Sequence, residues 1–194
     1  MSQKPDFEKI GASVLGGELT LKECEVLSSI MGVRMFKDGE RLVDESGTEH
    51  TLFVLIEGKL NVISETDGAP NHVYTMKVGE VAGTRAFVDR TPRKASLEAA
   101  GDTTVYTMEP DAFESLLDKH PRIVYKVMRS IFRITHSNLL RMKKPDLPGQ
   151  KRLKLRRLVL FRPRFVHLLY LRYRREKGQN GIGRPSKGYD SRRG

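Results

Sequence analysis

Residues 37–62 read KDGERLVDESGTEHTLFVLIEGKLNV, and the fold turns on them. TLFVLI is a continuous apolar run rich in β-formers. Glu57-Gly58 breaks it, and KLNV resumes with apolar and polar residues in alternation. That is the signature of two adjacent strands joined at a glycine turn. Upstream, KDGE supplies one turn, and RLVDESGTEH contains a short strand and a second turn at Gly47.

The same grammar extends outward. VRMF (33–36) alternates ahead of the first turn, and TDGAPN (66–71) makes a turn after the second strand. HVYTMKVGE, KASLEAAGD and TTVYTMEP read as further short strands, each closed by Gly or Pro. About eight short strands with glycine turns at this spacing predict a small antiparallel barrel or jelly roll. Helical spacing flanks it. LTLKECEVLSSIM (19–31) places Leu21, Val26, Leu27 and Ile30 at helical intervals, and Thr20 with Glu23 completes a capping box. After Pro110 the spacing predicts a short helix over 111–121 capped by Asp111, then a long one over 121–142 with Pro121 in its first turn. On the long helix Ile123, Val127, Ile131 and Val124, Met128, Phe132 form two adjacent rows. That stripe is wide enough to cover the sheet and to meet a partner. The expected class is α+β, mainly β, with one N-terminal helix and two C-terminal helices.

Charge divides the chain. Residues 143–194 hold 17 of the 35 Lys and Arg residues but 3 of the 24 Asp and Glu, leaving 18 basic residues against 21 acidic in 1–142. The net charge of +11 therefore belongs to the tail and describes nothing about the body. The expected organisation is an N-terminal arm (1–18), a domain (19–142) and a basic, disordered tail (143–194).

Residues 19–142 resemble cyclic nucleotide-binding domains, the sensor β-roll of catabolite-activator-type regulators and of kinase and channel modules. The resemblance rests on Gly39, Gly47, the strand–glycine–strand element LFVLIEGKLNV, and a second stretch, GTRAFVDRTPRKAS (83–96). Physically, a helical turn entered through Gly83 exposes backbone N–H groups to an anion, and Arg93 adds a permanently charged fork suited to two phosphate oxygens. Thr91-Pro92 preorganises the approach to Arg93. The resemblance implies that Gly83, Thr84, Arg85, Ala86, Arg93, Lys94 and Ala95 surround a cyclic phosphate and its ribose, with cAMP or cGMP as ligand. It also implies a purine contact for Thr135, beside Ser137 on the long helix, and a parallel homodimer seam on helix 121–142.

The family places Glu directly after the loop glycine, to accept from the ribose 2′-OH. Two registers compete here. Gly79-Glu80 supplies the acid but lies too far from Arg93; Gly83-Thr84 aligns the loop without a gap and puts Thr84 in the place of Glu. The second register is preferred, with Gly79 as a turn glycine.

Other chemistries are not supported. His50, His72, His120, His136 and His167 are scattered, without metal-ligand spacing, and Cys24 is the single cysteine. No nucleophile elbow, Walker loop or dinucleotide fingerprint occurs, so no enzyme is expected. The start of the chain lacks a secretory pattern and no run suits a spanning helix, which together predict a cytoplasmic protein. The resembled transcription regulators continue into a winged helix-turn-helix, which residues 143–194 do not match. Three readings of the tail stand open: a salt-sensitive nucleic-acid-binding arm, a membrane-surface segment, or a stretch that a change of reading frame produced. The expected function is a cyclic nucleotide-binding sensor. The alternatives are a non-binding scaffold of the same fold and a DNA-binding regulator that uses the tail.

Overall fold

The computed structural model describes residues 4–66 and 69–142. The basic tail expected over 143–194, and with it each nucleic-acid and membrane reading, lies outside the described residues. Eight strands form two antiparallel four-stranded sheets. One contains β1 (Met31–Phe36), β8 (Thr103–Met108), β3 (Leu52–Glu57) and β6 (Val81–Ala82), in that order. The other contains β2 (Arg41–Val43), β7 (Ser96–Ala99), β4 (Leu60–Thr66) and β5 (Ala69–Met76). This is the β-roll that the family resemblance implies.

The apolar run of β3 has two destinations. Phe53 and Leu55 join Phe36, Leu42, Val43, Leu60, Leu97 and Val105 in the core of the roll. Leu52, Val54 and Met108 are equally buried but outside that cluster, because successive side chains on a strand point to opposite faces. At that second face the Asp6 N–H donates to the Tyr106 hydroxyl at 2.9 Å. A strand covered on both sides needs no polar alternation, which is why TLFVLI shows none. Each fully buried Leu or Phe there contributes about 1.5–3 kcal/mol.

The helices are α1 (Phe7–Ala12), α2 (Leu21–Ser28), α3 (Thr84–Asp89), α4 (Pro110–Glu114) and α5 (Pro121–Met142), with a 3-10 turn over Ser115–Leu117. The Thr20–Glu23 capping box forms at α2 as the sequence requires. Three details differ from expectation. Within the segment expected as an arm (1–18), Asp6 caps α1, Ile10 and Leu15 are fully buried, and the Val14 N–H donates to Gly79 O at 3.0 Å. With only six residues, α1 is too short to show a helical period. Leu21, expected on the apolar face of α2, is exposed, and Cys24 packs in its place. Asp111 does not cap α4; Glu109 holds the cap position without a side-chain bond and Pro110 starts the helix.

On α5, Ile123, Val124, Val127, Ile131 and Ile134 are buried. Its basic side faces the N-terminal helices: Lys126 pairs with Glu23 at 2.5 Å, and Arg129 and Arg133 both reach Glu18. The expected second row is split, because Val124 turns inward while Phe132 is 62% exposed. No described helix is long and apolar enough to cross a membrane.

One repeated device escaped the sequence reading. Lys37-Asp38-Gly39-Glu40 and Lys77-Val78-Gly79-Glu80 fold into the same turn. In each, the Glu carboxylate accepts from the Lys N–H (2.7 and 2.9 Å) and the Glu N–H donates back to the Lys carbonyl (3.0 Å in both). Each glycine adopts positive φ, +77° and +87°, which an L side chain rarely tolerates. Each turn also clasps one residue of a facing strand by two backbone bonds, Ala99 in the first and Leu55 in the second.

Candidate functional site

The repeated turn gives Glu80 a structural role. Glu80 serves its own turn, and its carboxylate also accepts from the Tyr74 hydroxyl at 2.7 and 2.8 Å. It does at β5–β6 what Glu40 does at β1–β2. Thr84 stands at the first position of α3, behind Gly83.

Gly83 enters α3 with φ +83°, in the left-handed region. The first helical bond runs from the Phe87 N–H to Gly83 O at 2.9 Å, so the N–H groups of Thr84, Arg85 and Ala86 precede the helical ladder. Ala86 and Phe87 pack inward, and Phe87 meets Phe113 of α4 with ring centroids 5.5 Å apart. The turn out of α3 is unusual: Arg90, a non-glycine, adopts φ +51° and directs its guanidinium to Asp111 (2.5 Å) and Glu114 (2.9 Å).

Arg93 is the centre of the site. It is 4% exposed, and its guanidinium lies 5.2 Å from the Phe53 ring centroid and directly against Gly83. Its Nη2 donates to Thr51 O at 2.7 Å, while Nε and Nη1 are buried with no partner. The other buried side-chain polar atoms without a partner among the described residues are Thr91 Oγ1 and His50 Nδ1. All four belong to the Arg93 loop or to the residue preceding Thr51. Burial pulls the Arg93 guanidinium below the usual arginine range, and the carboxylates of Glu49 and Glu109 oppose that shift. The backbone of Arg93 is itself anchored: its N–H donates to Gly47 O at 2.9 Å and its carbonyl accepts from the Ser46 N–H at 3.0 Å.

Not every expected residue converges on Arg93. Thr84 meets Thr135 of α5, whose hydroxyl lies 3.4 Å away and also donates to Ile131 O at 2.9 Å. The expected ribose and purine positions are thus neighbours. Burial raises the Asp89 carboxyl above its ordinary value, and the charge of Arg85 offsets that only in part. Lys94 is exposed and Ala95 half-buried. Ser137 is exposed on α5. Thr51, 42 positions from Arg93, and Glu109, 58 positions from Thr51, were missed altogether, since nothing in their local sequence marks them as partners. Among the described residues no cluster of His, Cys, Asp or Glu is placed to hold a metal.

Roll, loop and helices together have the fold of cyclic nucleotide-binding domains. Residues 33–120 match the family model described as the cyclic nucleotide-binding domain. A cAMP-dependent protein kinase regulatory subunit of Mycosarcoma maydis is 27% identical over 118 residues, 58% of this chain. The match spans only 21% of that subunit's own length. The crystal structure of a cyclic nucleotide-binding domain from Methylobacillus flagellatus superposes with a TM-score of 0.68 at 21% identity, covering 74% of this chain and 85% of that one. The regulatory domain of Toxoplasma gondii PKA, crystallised with cAMP, gives 0.52 at 20% identity over 56% of this chain and 42% of that one. At such identities the two structures establish the fold.

Proposed function

We propose that this chain is a cytoplasmic regulatory module whose 83–95 loop binds the phosphate of a cyclic nucleotide and signals through α4 and α5. The observation that carries the reading is Arg93: a guanidinium 4% exposed, with two nitrogens buried and unpartnered. An unpaired buried charge is costly, and a phosphate is the ligand that would satisfy such a fork. The N–H groups of Thr84, Arg85 and Ala86 supply further donors, while the Lys94 side chain adds positive charge at the rim and Ala95 lends only backbone. Thr135 beside Thr84 suits a base contact. Ligand then favours one packing of α3 against the helices that follow, a two-state shift.

Thr84 lacks the carboxylate that would accept a ribose 2′-OH, so cAMP or cGMP is held mainly by its phosphate. Calorimetric titration of the full chain with cAMP and cGMP tests this, with Arg93→Ala as the control. Uptake that Arg93→Ala abolishes is the expected result. No heat with either nucleotide would favour the scaffold reading.

The exposed side of α5 supports a homodimer. Tyr125 and Phe132, one heptad apart, are 61% and 62% exposed on the face opposite the buried row. A second copy of the helix would cover them. Sedimentation of the full chain should give a dimer that Phe132→Glu converts to monomer; a wild-type monomer at high concentration refutes it.

A further inference from the structure

Thr51 is 1% exposed and uses both of its oxygens on opposite partners. Its backbone carbonyl accepts from Arg93 Nη2 at 2.7 Å. Its hydroxyl lies 2.6 Å from Glu109 Oε1 and 3.0 Å from Glu49 Oε1. A hydroxyl has one proton to give, and the shorter contact has the length of a charge-assisted O–H···O⁻ bond, so Glu109 takes it. Glu49 keeps Arg34, whose Nη1 donates to the same Oε1 at 3.2 Å. Glu109 is the residue from which α4 starts, and its carboxylate is turned to Thr51 instead of capping that helix. Pro110, which follows, is buried.

We propose that Thr51 is a positioning residue that couples Arg93 to the start of α4, through its carbonyl on one side and its hydroxyl on the other. This rests on the reading of 83–95 as the anion site. Without ligand, the carboxylates whose charge acts on the guanidinium are the protein's own, Glu49 and Glu109. An anion on the free Nε and Nη1 replaces them. The guanidinium moves to meet it, the Thr51 carbonyl follows, and the hydroxyl passes the change to Glu109. The coupling thus runs along two short hydrogen bonds that meet in one buried residue.

Hydrogen exchange on the full chain, without nucleotide, is the test. Thr51→Val removes the hydroxyl and keeps the carbonyl; Thr51→Ser keeps both. Exchange over 110–117 should rise about tenfold or more in Thr51→Val, the loss expected for one hydrogen bond to a charged group, and stay at the wild-type rate in Thr51→Ser. Arg93→Met should speed the same segment in the wild-type background and add nothing in Thr51→Val. Additive effects would overturn the coupling, as would a serine variant that behaves like the valine one. Uniform acceleration over β3 and β8 as well as 110–117 would also overturn it, since that marks general destabilisation. Calorimetry with cAMP is read separately. If wild type takes up none, the phosphate-site reading fails, while the ligand-free cycle still decides whether Thr51 couples the two elements. If it binds, Thr51→Val should bind too without changing exchange over 110–117.

Discussion

A Cβ on Gly83 would collide with Arg93 Nη1 and come within 2.9 Å of Thr51 O, while the glycine itself sits at φ +83°. Backbone and guanidinium interlock, so the loop and its arginine form one unit. Gly83→Ala must bear both the clash and the left-handed strain, and a loss of about 1–3 kcal/mol is expected in chemical denaturation. Arg93→Met should behave oppositely. It retains side-chain bulk and removes a buried, half-satisfied charge, so the free protein should melt no lower than wild type even as nucleotide binding is lost. A free Arg93→Met protein several degrees less stable would mean that the arginine is structural.

Thr84→Glu is expected to tighten cAMP binding about tenfold, because one charge-assisted hydrogen bond to the ribose contributes roughly 1.5–3 kcal/mol before the Thr135 contact is lost. The 2′-deoxy analogue should gain nothing. Equal gains for both nucleotides would rule out a ribose role for position 84.

The two K-x-G-E turns make a matched pair of variants. Glu40→Ala and Glu80→Ala each remove a carboxylate that accepts from a lysine N–H, and each should cost about 1–2 kcal/mol of stability. Neither should alter nucleotide affinity by more than about twofold. A selective loss of cAMP binding in Glu80→Ala would instead restore Gly79-Glu80 as the functional register.

Acid should loosen α5 from α2. Lys126 and, after it, the Thr20 N–H hold the Glu23 carboxyl below its ordinary value of 4.5. A carboxylate depressed on folding contributes its full stability above the unfolded value and loses it as pH falls through the folded one. Thermal melting from about pH 5 down to pH 2 should therefore show a decline that is shallower in Lys126→Met. Parallel curves would remove this pair from the acid response.

What could be read in advance follows the range of the interactions. The strand–glycine–strand element at Gly58, the capping box at Thr20 and the helical turn behind Gly83 all depend on residues within a few positions. The two K-x-G-E turns are just as local, but the repeat shows only when residues 37–40 are laid beside 77–80, and it escaped the reading. Helix α1 was not legible, since six residues give no period, and Leu21 has the right spacing but no neighbour to cover it. The αL conformation of Arg90, whose guanidinium pairs with Asp111 and Glu114 of α4, left no mark either.

The sequence alone therefore determined the strands, the helices after the roll and the place of the glycine-entered 83–96 loop, because dihedral preference and apolar alternation act within short windows. Whether Arg93 is a surface charge or a buried fork with two idle nitrogens was beyond it. The tertiary structure decided that, by bringing Thr51 from 42 residues away to take one nitrogen, and by setting Thr135 against Thr84 across 51 residues. Burial and hydrogen-bond partnership depend on which distant segments meet, and only the packed chain fixes that.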